Sequence, residues 1–364
     1  MTKVQERNNL IRSELTDMYN AAISPNALST AYDEILSNIV KAKEKSYREI
    51  LLCIISIMLI QPDLKATENW KSLHPRGLYD NGPIKEFLRE HNIPHTKSGP
   101  LNISKAANIN SEWATGRDSS NIALNVIEVV SYLESHNTPA EIKAIGISLI
   151  RMLLAEAVRV QSLSINIPPS LDPDYLSNAC LCLIQNAPDA GNTPQQIAGM
   201  LLKNYHTSIH SNIQVTGGDD RASVTSTTSN KPGDINEELN GRILKVYEIT
   251  VKPFNIDRII DSYDCVCQFN QSTNDLVHEI IVICRPEDCP VQMENYRSNF
   301  YLGRYIYQDV VYYFWNIYEW VVSMLQRMPN WGKELFFTNL SGYISDINTS
   351  ESVKLEWRRL HGIE

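Results

Sequence analysis

The segment from Ser229 to Lys252 places the tightest limits on what this chain can fold into. Pro232-Gly233 is a turn signal, and Asn240-Gly241 is the strongest short-range signal for a hairpin. The run Ile243 to Val251 is dense in β-branched and aromatic residues and is predicted to be a strand. Asp234 then stands at the start of one hairpin arm, and Glu248, 14 positions later, lies within the other. Side chains alternate between the faces of a strand. Glu248, Thr250 and Lys252 are therefore expected on one face, with Tyr247, Ile249 and Val251 packing on the other. Two carboxylates, a hydroxyl and an ammonium near one point suit a hard divalent cation bound through oxygen.

The residues that follow extend this unit. Pro253 closes the strand, and Asn255 or Asp257 caps a helix over about 256–267 with apolar positions at 256, 259, 260, 263 and 266. Val277 to Cys284 contains the continuous apolar run Ile280 to Ile283, which predicts a strand buried on both faces. Strand, helix and strand in this order imply a parallel pair joined by a right-handed crossover.

The chain before this region reads as helical. Helices are predicted over about 9–23, 27–43, 46–59, 119–135, 139–160, 174–185 and 194–205, each with apolar residues at helical spacing. The third is apolar almost all round and so belongs at the centre of a helical core. Its run Ile50 to Ile60 is too short to span a bilayer, and the polar N-terminus has no secretory pattern. Residues 70–113 break the helical pattern with recurrent Pro and Gly, one short helix over 84–91, and cations among Asn, Ser and Thr. Such donors on irregular backbone suit phosphate and base-edge contacts. Arg76, Lys97, Ser98, Lys105 and Arg117, with Lys231 nearer the hairpin, are the candidate DNA-contacting residues.

Residues 206–230 are small and polar. They are expected to form a loop leading to Asp234, with Asp219 and Asp220 as rival metal ligands. His206 and His210 are taken as surface or loop residues. Aromatic residues between 302 and 327 are placed on one long helix that fills a core or a subunit interface. Lys354, Arg358 and Arg359 are assigned to the surface of a last helix.

Seven cysteines without Cys-x-x-Cys pairs point to reduced structural thiols in a cytoplasmic protein, not a zinc site. Phosphate-cradling Gly-rich loops, a Gly-x-Ser-x-Gly elbow and a His-Glu-x-x-His pair do not occur. The net charge of −9 weighs against nucleic-acid binding, but affinity follows the local field of a cleft and not the total.

The hairpin with its two acids resembles the nucleases of the PD-(D/E)XK superfamily, and within it the type II restriction endonucleases. Pro232, Asp234 and Glu248 match the motif, which places an Asp at the start of one strand and Glu-x-Lys on the next. Thr250 stands where the motif has lysine, and Lys252 lies one step further along. The resemblance implies an α/β (mixed) fold: a largely helical region over 1–205 carrying DNA-contacting loops, then a restriction-endonuclease-like mixed sheet flanked by helices over 206–364. It implies that Asp234 and Glu248 are ligands of Mg²⁺, that Lys252 orients water or neutralises charge, and that Thr250 bonds to a metal-bound water. It further implies Mg-dependent hydrolysis of double-stranded DNA at a specific site by a homodimer in the cytoplasm of a bacterium, alongside a cognate DNA methyltransferase. The alternative is a non-catalytic DNA-binding or helical interaction protein, favoured by Thr250 and the acidic balance. A nuclease for single strands or RNA is a third reading.

Overall fold

The structure, a computed structural model, describes residues 3–25, 29–73, 75–80, 82–96, 101–104, 106–136, 138–218, 231–273, 276–290, 293 and 298–363. It is mixed α/β and divides into two compact units, Met1–Ser162 and Leu163–Glu364.

The first unit is helical. Its long helices are α1 (Lys3–Ala22), α2 (Asp33–Lys41) and α3 (Ser46–Met58). The short helices α4 (Ala66–Asn69), α5 (Arg76–Tyr79), α6 (Pro83–Glu90), α7 (Leu101–Ser104) and α8 (Ser111–Thr115) follow, then α9 (Ser120–Ser135) and α10 (Pro139–Ser162). As expected, α3 is the spine: Tyr47 through Met58 are all buried, and α1, α2, α9 and α10 close round it. The block over 70–113 holds several helical turns besides the expected one. Its Pro and Gly spacing keeps each of them to a few residues.

The second unit begins with α11 (Pro173–Asn186) and α12 (Asn192–Ser208). The strands β1 (Gln214–Thr216), β2 (Ile235–Leu239) and β3 (Arg242–Ile249) come next, followed by α13 (Ile256–Ser272) and β4 (Glu279–Cys284). Then come β5 (Tyr301–Tyr307), β6 (Val310–Asn316), α14 (Ile317–Arg327), α15 (Asn330–Ser345) and α16 (Glu351–Leu360). The six strands form one sheet in the order β1-β2-β3-β4-β6-β5. The hairpin β2–β3 is antiparallel, whereas β3–β4 and β4–β6 are parallel, so β3-α13-β4 is the crossover that the sequence implied. The turn Asn240-Gly241 carries positive φ at both residues (53° and 77°), which is what a two-residue hairpin loop requires.

The sheet is buried on both faces. On one side Ile235, Tyr247, Ile249, Ile281 and Ile283 pack under α11, α12, α14, α15 and α16. On the other, Val246, Ile280, Val282, Tyr312 and Phe314 pack with Phe254 and with Ile259 and Val266 of α13. Strand β4 thus contributes alternate residues to both cores, as its unbroken apolar run predicted.

Two expectations change. The boundary at 205/206 moves to 162/163, because α11 and α12 bury Leu176, Leu183, Ile197 and Leu201 against the sheet. The single helix over 302–327 is a β-hairpin, β5–β6, followed by the shorter helix α14. In β6 burial alternates strictly, with Val310, Tyr312, Phe314 and Asn316 buried, so the period is two and not helical. Fully burying rings such as Tyr312 and Phe314 contributes about 1.5–3 kcal/mol each. A helix would scatter that row of rings over several faces.

Candidate functional site

Ile235 pairs with Tyr247 and Asn236 with Val246. Continued one step, this register sets Asp234 across from Glu248, with both side chains on the face covered by α13. Asp234 precedes β2 in the Pro232-Gly233 turn, and its Oδ2 accepts a hydrogen bond from the backbone N–H of Ile249 at 2.9 Å. That bond ties the carboxylate to the strand bearing Glu248. Gly217 backs the same turn. It has φ +91°, and a Cβ there would collide with the carbonyl oxygen of Asp234, so only glycine lets the two backbones approach.

The two carboxyl groups lie within hydrogen-bonding reach of each other. Asp234 is partly exposed and Glu248 buried. Burial raises the Asp234 carboxyl, opposed by the Ile249 N–H and by the positive charge of Arg258. Burial, and then the neighbouring Asp234 charge, hold Glu248 well above the usual carboxylate range, so of the two Glu248 keeps its proton longer. Ser262 of α13, also buried, donates from Oγ to Glu248 Oε1 at 3.5 Å.

Arg258 was missed by the sequence reading. Asn255 Oδ1 caps α13 by accepting the Arg258 N–H at 3.2 Å, which sets the first helical turn. The Arg258 guanidinium lies over the Phe254 ring, 4.9 Å from its centroid, and Nη1 donates to Thr250 Oγ1 at 2.5 Å. A cation therefore does reach the position where the motif has lysine, but from the following helix. Ser262 lies on the same helix, outside the hairpin, where strand spacing carries no signal for it.

Lys252 is placed differently from expectation. Strand β3 ends at Ile249, and Thr250 turns the chain by accepting the Lys252 N–H (3.1 Å) and donating to the Lys252 carbonyl (3.0 Å). Lys252 is thus exposed and off the strand whose alternation was to align it with Glu248. Glu248 differs as well. It was expected to face outward, but α13 covers it.

The DNA-contact candidates divide. Lys97, Ser98 and Lys105 lie outside the described residues, as do Asp219 and Asp220. The backbone of Arg76 is in α5, and its side chain is not among those described. Arg117, in the helical unit, donates to the Trp113 carbonyl at 3.3 Å with its guanidinium 5.9 Å from that ring. Lys231 is half-buried, three positions before Asp234. Thr96, which precedes Lys97 in the sequence, gives both its N–H and its hydroxyl to Glu49.

Two assignments to the surface are overturned. His206 is buried in α12 with Nε2 2.9 Å from Glu237 Oε1, because the helix runs three residues past its expected end and carries the ring onto the sheet. Lys354 is 1% exposed and donates to the Ile344 and Asp346 carbonyls at 2.6 and 2.8 Å, satisfying the end of α15.

Chemically, two acids face each other under a helix, with the Arg258 charge acting on both and a proton held more firmly by Glu248. Among the described residues no group of three or more His, Cys, Asp or Glu side chains forms a metal site. Nor is any helix among them long and apolar enough to cross a membrane. In comparison with known proteins, no family model matches the chain and no curated protein is significantly similar to it.

Proposed function

We propose that the second unit is a Mg²⁺-dependent endonuclease of the restriction-endonuclease kind, hydrolysing phosphodiester bonds of double-stranded DNA at a specific site. The observation that carries this reading is the hairpin register. It sets Asp234 across from Glu248 on one side of a sheet and continues through a crossover helix into a parallel strand. In this reading Asp234 and Glu248 would hold the cation through their carboxylate oxygens. When bound, the ion supplies Lewis-acid charge at the scissile phosphate.

This chain's own residues do the rest. The Ile249 N–H fixes the Asp234 carboxylate, and Ser262 orients Glu248. Arg258 supplies the fixed positive charge in place of the motif's lysine. A guanidinium does not give up its proton near neutral pH, so its part is to bind phosphate and offset developing charge, not to take a proton from water. Asp234→Ala or Glu248→Ala is expected to abolish Mg²⁺-dependent cleavage of a long DNA of known sequence while DNA binding survives. Arg258→Ala should lower cleavage about a hundredfold. Discrete bands from the parent protein support site-specific cutting, and undiminished cutting by both acid variants overturns the site. A homodimer on palindromic DNA, a partner methyltransferase and a cytoplasmic location are further parts of the proposal.

The second reading is a DNA-binding or interaction protein without catalysis. Thr250 in the lysine position, and a Glu248 that is covered and prone to hold a proton, favour it. DNA binding with no cleavage at any Mg²⁺ concentration would select it.

A further inference from the structure

At the end of β4 the chain runs Cys284-Arg285-Pro286-Glu287-Asp288-Cys289 through one 3-10 turn, Pro286–Asp288. The turn brings the two sulfurs to 3.6 Å, with Cys284 fully buried and Cys289 partly exposed. The turn is also fastened to the segment that follows β3. Arg285 donates from Nε to Asp288 Oδ2 at 2.6 Å and from Nη2 to the Val251 carbonyl at 2.8 Å. The Asp288 carbonyl accepts the Phe254 N–H at 2.8 Å. Phe254 is the ring on which Arg258 rests.

We propose that Cys284 and Cys289 are a redox-active dithiol, closed to an intramolecular disulfide by a peroxide, and that closure clamps the 285–288 turn onto residues 251–254. The sulfurs need to approach by about 1.5 Å to reach bonding distance. Cys289, which solvent reaches, attacks one peroxide oxygen as its thiolate. An S–O bond forms, the O–O bond breaks, and the departing hydroxide takes a proton to become water. Cys284 then gives up its proton and attacks the sulfenic sulfur. The S–S bond forms, the S–O bond breaks, and a second water leaves, so two thiols lose two electrons to one peroxide. Contact with Cys289, together with burial, pushes the Cys284 thiol up, so Cys284 is not the sulfur that meets peroxide first.

The test is made on the full chain, treated with hydrogen peroxide, then unfolded and alkylated in denaturant, digested without reductant and weighed. Two of the seven thiols should escape alkylation, and the peptide spanning 284–289 should be lighter by two hydrogens, with dithiothreitol restoring both. Cys284→Ser and Cys289→Ser should each abolish the bridge. Amide exchange at Phe254 should slow about tenfold in the oxidised protein. Seven alkylatable thiols after peroxide, or Cys289 over-oxidised while Cys284 remains alkylatable, overturns the dithiol. A bridge that leaves exchange at Phe254 unchanged overturns the clamp. Neither readout requires cleavage of DNA, so the outcome is separate from that of the nuclease reading.

Discussion

Two of the buried glutamates, one in each unit, have opposite surroundings. Glu49, on α3 of the helical unit, is 2% exposed, and Glu248, on β3 of the sheet unit, is 6% exposed. Burial is thus nearly equal, and the difference lies in the partners. Glu49 accepts the Thr96 N–H and the Thr96 hydroxyl, both at 2.6 Å, beside the positive charge of Arg48. Arg48 is itself held by the Val40 and Pro94 carbonyls. Burial raises the Glu49 carboxyl, but every named neighbour pulls it back. Glu248 meets a second acid, and Asp234 adds to the effect of burial instead of opposing it. A buried acid surrounded by donors organises its neighbours. A buried acid beside another acid holds charge that the fold leaves only partly neutralised, and such sites more often serve function than stability.

The sharpest way to break this comparison is Glu49→Ala. It strands the Thr96 donors and the Arg48 charge in the core and should cost about 3–5 kcal/mol in chemical denaturation. A loss near zero would mean that Glu49 is no better supported than Glu248. Mg²⁺ is the next probe. At about a hundredfold its dissociation constant it should stabilise the protein by about 2.7 kcal/mol in thermal denaturation, and Asp234→Ala should lose that gain. Glu248→Gln comes third and carries the opposite sign to Glu49→Ala, since removing the cost of burying the charge, and with it the repulsion from Asp234, should stabilise the apo protein by about 1–2 kcal/mol at neutral pH. The sign of the pH dependence follows. The folded pKa of Glu248 lies above the unfolded one, so the native state binds the extra proton. Its stability then falls as pH rises from the ordinary carboxylate range through the raised value. Glu248→Gln should flatten that slope.

The last probe is Lys354, whose ammonium burial pushes down to about 8. Here the unfolded chain binds more protons between about 8 and the ordinary lysine range, so stability should rise with pH over that window. Lys354→Met should remove this rise, as followed by melting temperature against pH. An unchanged slope would show that its carbonyl partners, and not burial, set its titration.

Much of the sheet unit was legible because local rules agreed there. Asn240-Gly241 specified the hairpin turn, alternation placed Tyr247 and Ile249 inward, and the run Ile280 to Ile283 announced a strand covered on both sides. The aromatic segment was misread because the unbroken run Tyr312 to Trp315 shows neither period on its face, and which of its rings are buried emerges only in the folded sheet. The turn before that run, at Gln308-Asp309, has neither Gly nor Pro, and Gln308 takes φ 55° regardless. Within the site, Asp234 and Glu248 were found by strand spacing, and Arg258 was not. It lies ten residues beyond Glu248, and its contact with Thr250 exists only once α13 has docked.

From its sequence alone this chain determined where backbone turns, strands and helices arise and which face of each is apolar, because those preferences act over a few residues at a time. Tertiary packing alone decided which charges meet. It brought Arg258 to Thr250, closed Ser262 over Glu248 and turned Lys252 outward. The strength of a charge depends on solvent exclusion and on neighbours distant in sequence, and both are established only when the layers close.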